Sequence, residues 1–440
     1  MVRLRNLLAH LRAQLWLLPA LMSLGAAALA YLAVTFGGFV SSTTGDSSWW
    51  LYSGDASTAR GLLSGFLSGL LTMTSLVVSV TVVILTTAAS QLGPRLITFF
   101  MADRQIQFVL GLFIATTLYV IVVLRTLNDT LGTDGVPHVA VTIASALTIA
   151  CLFALLFYVH KIARSVIADN LVEEVWCALR EDIRQIMQGE ETAPAAHNLP
   201  KHTGVSSSVS LDQAGYIQLV DYQQLVGLAH EHDLVIQIRV RAGHFVLTCN
   251  KQIDVLSAKA IDEEIAKDIR GAFVIGSSRT PAQDIEHGLR QMVEIGLRSL
   301  SPGINDPMTA MAVIDRLGAA LEEIFARPLP PRVLRDDNGT ARVLADRSDH
   351  IGIVGAAFNQ IRQAGETQPA VVIALARTLG RLAMACPTAT AKDALRDQLM
   401  RLEQTAKAQA FIMADAGDVD TAIAWARLAL GAHPVGATAT

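Results

Sequence analysis

The chain has 440 residues, of which 52% are hydrophobic and 17% charged, and its formal net charge is −4. This balance argues against a nucleic-acid partner, which calls for a basic patch or stripe. The four cysteines (Cys151, Cys177, Cys249, Cys386) stand far apart and form no metal-ligand pair, so structural burial is their expected role.

Charge is unevenly distributed. Residues 1–160 hold 12 of the 74 charged side chains (35 Lys and Arg plus 39 Asp and Glu), leaving 62 for the remaining 280 residues. The first stretch reads as membrane, the second as a water-soluble region of ordinary charge density.

Four apolar spans follow in order: Leu15–Phe36, Leu62–Ala89, Ile106–Leu124 and Val139–Val159. Each can cross a hydrocarbon core of ~30 Å at about 1.5 Å per helical residue. Arg3, Arg5, Arg12, Arg95, Arg104, Lys161 and Arg164 lie on one side of these spans, with only Arg60 and Arg125 on the other. That bias predicts a multi-pass protein of the bacterial inner membrane with both termini cytoplasmic. Trp49, Trp50 and Tyr52 then suit the outer interface. The N-terminal run imitates a signal peptide around Ala28-Leu29-Ala30, but its apolar character continues to Val40, which favours an uncleaved anchor.

Span two is the most patterned segment of this first part. Ser64, Ser68, Thr72, Ser75, Ser79, Thr86 and Ser90 recur at steps of three, four or seven, placing a hydroxyl stripe on one helical face. Gly61, Gly65 and Gly69 run beside it, with the spacing that lets helices approach closely in lipid. No Asp, Glu, Lys or Arg occupies the middle of any span, which disfavours a proton-coupled carrier. A passive pathway lined by hydroxyls remains open, as does simple packing between helices, and a pore would need several copies of the chain. The span ends at Gly93-Pro94, a candidate hinge, followed by an apolar interfacial stretch, Leu96–Met101.

After span four, residues 165–210 read as a helix and a linker, and residues 211–440 as a cytoplasmic domain. A small α+β module is expected at about 215–276: a strand at Gly215–Val220, a helix at Tyr222–Glu231, a hairpin of Leu234–Val240 with His244–Cys249, and a strand at Ile253–Leu256. His230, Glu231, His232 and Asp233 are the densest set of possible metal ligands, but nothing nearby completes them, and a solvated helix end is the simpler reading.

The segment Arg279–Ala310 predicts a helical hairpin. Thr280 and Gln283 resemble a capping box with Pro281 in the first turn. Ile285, Leu289, Met292, Gly296 and Leu300 supply an apolar face; Asp284, His287, Gln291, Glu294 and Arg298 supply a polar one. Ser301-Pro302-Gly303 turns the chain, and Asp306 caps the next helix with Pro307 at its first position. Arg279, Asp284, His287, Gln291, Asn305 and Asp306 together form a candidate polar corner. Asp284 and His287 could share a proton in acid–base work, though such faces usually serve as solvated surface or subunit contact.

The run LRQMVEIGLRSLSPGINDPMTA (Leu289–Ala310), the preceding Arg279-Thr280-Pro281-x-Gln283-Asp284, and Ser90-Gln91-Leu92-Gly93-Pro94-Arg95 together resemble a bacterial family of predicted membrane proteins, domain of unknown function 2254. Gly215-Tyr216-x-Gln218 and Gly243-His244-Phe245-Val246 are similar too, whereas Thr248-Cys249-Asn250-Lys251 departs from the glycine-containing turn usual there. The resemblance spans nearly the whole chain. It implies an integral membrane protein with a cytoplasmic domain, and no established activity or catalytic residues.

Beyond Leu317, a hairpin around Asp336-Asp337-Asn338-Gly339 precedes helices at about Asp349–Ala364, Pro369–Ala385, Ala391–Ala414 and Val419–Leu430, the last two separated by Gly417-Asp418. No phosphate-binding glycine loop, nucleophile elbow or zinc-helix motif is present, and no metal or cofactor is implied. The expected fold is thus an α-helical integral membrane protein: a transmembrane domain at 1–164 with four transmembrane helices, the second at the centre of a homo-oligomer, then a mainly helical cytoplasmic domain with the small α+β module. The leading expectation for function is a homo-oligomeric, channel-like ion or small-solute pathway regulated by that domain. A non-conducting scaffold or sensor is the alternative, and a membrane-anchored enzyme the third.

Overall fold

A computed structural model describes residues 16–44, 51–92, 103–127, 136–165, 168–187, 205–386 and 388–431. The chain divides into two compact units, Met1–Asn170 and Leu171–Thr440.

The first unit contains four long helices: α1 (Leu17–Thr44), α2 (Ala56–Leu92), α3 (Arg104–Thr126) and α4 (His138–Ser165). All four are long and apolar enough to cross a membrane. An uninterrupted helix is the form such a run takes in lipid, where every backbone N–H and C=O must find a partner within the chain. Each helix includes its expected span and extends a few residues past it, except that α1 begins at Leu17. Asp103 starts α3, its carboxylate accepting the Gln105 N–H at 2.7 Å.

Span three, not span two, is the core of this bundle. Of its apolar window 56% is buried, against 11% for span two. Phe113, Tyr119, Val120 and Val123 of α3 are fully enclosed, and α3 packs against all three other helices. Gly111 permits the approach of α1: a Cβ there would stand 3.2 Å from Pro19 Cα. The Tyr119 hydroxyl donates to Ala140 O at 3.1 Å, joining α3 to α4. Span two was expected at the centre of a homo-oligomer, and within the single chain its stripe and glycines are not the residues that pack.

In the second unit, α5 (Ala168–Met187) leads, among the described residues, into two sheets and eight further helices. The strands are β1 (Val205–Val209), β2 (Gly215–Val220), β3 (Val235–Ile238), β4 (Phe245–Val246), β5 (Ile253–Ser257), β6 (Phe273–Gly276), β7 (Val333–Arg335) and β8 (Ala341–Leu344). Two short helices, α6 (Tyr222–Glu231) and α7 (Glu263–Gly271), lie among them. The longer helices are α8 (Ile285–Ser299), α9 (Pro307–Phe325), α10 (His350–Ala364), α11 (Pro369–Ala385), α12 (Ala389–Lys407) and α13 (Met413–Ala429).

One sheet has the order β1-β5-β3-β8-β7 and the other β4-β2-β6. Their apolar faces share a core that includes Ile217, Leu225, Ile236, Ile253, Val255, Ile269 and Val343. Strand structure therefore extends beyond 215–276 to Val205–Val209 and to the 333–344 hairpin, which joins the larger sheet through a parallel β3–β8 pair.

Three local expectations are corrected. The segments at Val235 and Phe245 do not form a hairpin: β3 pairs with β5 and β8, while β4 pairs with β2 in the other sheet. The chain crosses between sheets at Gly243 (φ 87°), whose N–H donates to Ile217 O at 2.8 Å. Thr280 and Gln283 do not box a helix start. Gln283 instead satisfies both backbone groups of Val220, and Asp284 caps α8. Finally, Gly417-Asp418 lies inside α13, and the break falls at 408–412, where no Gly or Pro announces it. Of the cysteines, Cys151 and Cys386 are buried, whereas Cys177 and Cys249 are exposed.

Candidate functional site

The hydroxyl stripe of span two turns away from the bundle. Ser64, Ser68, Thr72, Ser75, Ser79 and Thr86 are all exposed on the single chain. Among the described side chains of α2, Ala56, Ala59, Leu63, Leu70, Val77 and Thr81 are the buried ones. At 3.6 residues per turn the two sets fall on roughly opposite faces of one helix. The buried face carries its own polar tie, since the Tyr158 hydroxyl of α4 donates to Val77 O at 3.2 Å and bonds Thr81. On the outward face, the Thr72 hydroxyl donates to Ser68 O at 3.0 Å and that of Thr86 to Val83 O at 2.8 Å. Such back-bonds spare a hydroxyl the cost of facing lipid unpaired, and leave its oxygen free to accept.

Gly61, Gly65 and Gly69 flank this stripe, and a Cβ added to any of them would meet nothing within 4 Å. Among the described residues, their smallness therefore serves no contact inside the chain. Ser90 lies in the last turn of α2, and the candidate hinge Gly93-Pro94 is outside the described residues.

A second concentration of polar groups lies at the start of α8. Asp284 and Glu286 are 6% and 5% exposed, two carboxylates buried two residues apart. Three segments converge on Glu286. Arg241 Nη2 donates to it at 2.9 Å, Arg290 Nη2 at 2.7 Å, and the Ser348 hydroxyl at 3.0 Å. Arg241 also reaches Asp346 at 3.4 Å, and His244 Nδ1 lies 3.9 Å from the same carboxylate.

Asp284 is treated differently. Its Oδ1 accepts the Glu286 N–H at 3.1 Å, while its buried Oδ2 has no hydrogen-bond partner. That oxygen packs against Gly243, where a Cβ would stand 2.6 Å from the carboxyl carbon.

These surroundings separate the two acids. Burial, reinforced by the Glu286 charge, pushes Asp284 up to about 6. Burial also acts on Glu286, but Arg290, Arg241 and Ser348 outweigh it and hold that carboxyl below its ordinary value. Burial and the Arg241 charge lower His244. A split pair of this kind can serve acid–base chemistry. Here the raised acid has a glycine against its free oxygen, so the arrangement locks the loop at 241–244 onto α8.

The polar corner expected from sequence is divided. Arg279 lies over the Tyr216 ring at 5.6 Å, beside the Asp284 end of α8. His287 and Gln291 are half-buried along the helix. Asn305 and Asp306 follow its other end, about 20 Å away at 1.5 Å per residue. Asn305 holds the turn with φ 48° and accepts from Gln368 Nε2 at 3.2 Å; Asp306 caps α9 through the N–H groups of Met308 and Thr309.

Glu286, Arg241, Asp346 and Ser348 were not singled out from sequence. The Gly243-His244-Phe245-Val246 stretch was the one available signal, since helical period cannot pair residues 45 positions apart. In the His230–Asp233 cluster, His230 Nδ1 lies 2.9 Å from Asp336 and Asp233 pairs with Arg342 at 2.7 Å.

Four helices long and apolar enough to cross a membrane, with a second compact unit rich in ion pairs, define a predicted membrane protein. The chain belongs to the family described as predicted membrane protein (DUF2254), whose pattern matches residues 12–381. It is similar to an uncharacterized protein of Mycobacterium bovis and to one of Mycobacterium tuberculosis. Each is 28% identical over 421 residues, covering 92% of this chain and 78% of the relative. No solved structure matches.

Proposed function

We propose that several copies of this chain assemble in the bacterial inner membrane around their second spans, forming a channel-like pathway for ions or small solutes. The observation that carries this reading is the outward hydroxyl stripe, Ser64 through Thr86, set opposite the buried face of the same helix. A stripe of exposed hydroxyls along one face of a charge-free span suits water or another protein surface better than lipid tails. A ring of such faces supplies a polar lining without titrating groups.

The side bias of Arg and Lys supports cytoplasmic termini, with the second unit as a cytoplasmic regulatory domain. Gly61, Gly65 and Gly69 favour a second reading, a non-conducting oligomeric scaffold in which the same face only packs. The enzyme reading has less support, because the raised acid at Asp284 faces Gly243 rather than an open cleft.

The test is to reconstitute the purified protein in planar bilayers and record currents, then repeat with Ser75→Leu and Ser79→Asp. The channel reading expects conductance that falls in the first variant and changes cation preference in the second. Silence under all conditions, with an oligomer still present, leaves the scaffold.

A further inference from the structure

Between α1, α3 and α4 the first unit has a groove of about 530 Å³, lined by Leu18, Phe108, Phe153 and Phe157 and ending at Arg104 and Gln105. We infer that this groove is a binding site for one acyl chain of an anionic phospholipid, with the headgroup phosphate held at Arg104.

Its polarity runs in the direction a lipid requires. Asp103 caps α3 and Lys161 stands near the end of α4; the two are ion-paired, and Lys161 Nζ donates to Gln105 Oε1 at 2.7 Å. This end is therefore the membrane–water boundary. Phe157 and Phe153 lie one and two helical turns from Lys161, roughly 6 and 12 Å into the hydrocarbon at 1.5 Å per residue. Asp103 balances Lys161, so Arg104 gives the mouth a net charge of +1 among the described residues, the complement of an anionic headgroup. Gln105 is held beside it by Lys161.

The groove is unsuited to another helix. Its rim is bulky: Phe108, Phe153 and Phe157 are 51%, 68% and 52% exposed. Close helix contact in a bilayer uses small residues, and Ala154 is the one small residue among those lining the groove. A flexible acyl chain fills an irregular aromatic channel without that demand, and an arginine fork matches a phosphate. A basic residue near a lipid surface contributes about 1 kcal/mol, so loss of Arg104 corresponds to about a fivefold change in retention.

The test is native mass spectrometry of the full-length protein in detergent, with phosphatidylglycerol and phosphatidylcholine added in equal amounts. The expected result is one phosphatidylglycerol retained per chain in preference to phosphatidylcholine. Arg104→Gln reduces that retention about fivefold, and Ala154→Trp, which fills the groove, abolishes it. Arg125→Gln, at the opposite end of α3, leaves it unchanged. Equal retention of the two lipids overturns the proposal, as does retention indifferent to Arg104→Gln. Loss of an oligomer rather than of lipid in Ala154→Trp also overturns it, by showing that a second copy occupies the groove.

Discussion

Gly243 and Asp284, forty-one positions apart, touch so closely that a Cβ on the glycine would stand 2.6 Å from the aspartate's carboxyl carbon. Gly243 also has φ 87°, a backbone region costly to other residues. Gly243→Ala therefore destabilises the second unit by about 1–2 kcal/mol from backbone strain alone, with the overlap adding to it. Thermal melting of the full chain reads the loss. In Gly243→Ala/Asp284→Ala the overlap disappears, so the double variant melts higher than the sum of the single losses implies.

Asp284 also makes stability depend on pH. Its folded-state pKa of about 6 lies above the ordinary 3.8, so between those values the folded chain holds a proton the unfolded chain has released. Its contribution is fully present below about pH 4 and is lost as pH rises through 6, a change on the order of 3 kcal/mol. Glu286, with its lowered pKa, acts in the opposite direction at lower pH. Melting curves of the wild type and Asp284→Asn compared across this range isolate the Asp284 part: the wild type loses stability relative to the variant as pH rises from 4 to 7.

Glu286 gathers Arg241, Arg290 and Ser348 from three segments. Glu286→Ala leaves two guanidiniums without their shared anion. The expected loss is about 3 kcal/mol, the low end for a broken buried pair, because Arg290 remains half exposed to water. Glu286→Gln keeps the hydrogen bonds and loses less. Urea unfolding of the two variants, followed by the fluorescence of Trp176 and Trp425, orders them.

Within the bundle, Gly111 sets the approach of α1 to α3, since a Cβ there would meet Pro19 and Met22. Gly111→Leu separates these helices, and the expected cost is about 1–3 kcal/mol from overpacking. The same substitution at Gly65, which has open space around it, leaves the monomer's stability unchanged. Detergent-resistant melting of both variants checks the contrast, and a reversed order would mean that α1 and α3 do not pack through Gly111.

The spans were legible because length and apolarity alone specify a transmembrane helix, and α6, α10 and α11 because Asp221, Asp349 and Pro369 mark their starts. The β3–β4 separation was not, because a strand's partner depends on contacts far along the chain. Nor was the buried Asp284–Glu286 pair. Helical period places Asp284 on a polar face, but whether water covers that face depends on Gly243 and Arg241, which arrive on the loop between β3 and β4. The stripe on span two was legible as a pattern. Its direction was not, since periodicity says which residues share a face and not which face the neighbouring helices take.

The central claim is that the hydroxyl face of α2 meets water in the assembled protein, and cysteine accessibility at Ser79 tests it most directly. In a Cys177→Ser/Cys249→Ser background, Ser79→Cys is placed in liposomes and exposed to a charged, membrane-impermeant thiol reagent. The account predicts labelling at Ser79→Cys and at Ser75→Cys, with conductance blocked as labelling proceeds, and no labelling of Val77→Cys, which lies on the opposite, buried face of the same helix. Ser79→Cys and Ser75→Cys that stay unlabelled while a cysteine placed at the membrane boundary reacts would contradict it, because the stripe would then face lipid or a dry helix contact.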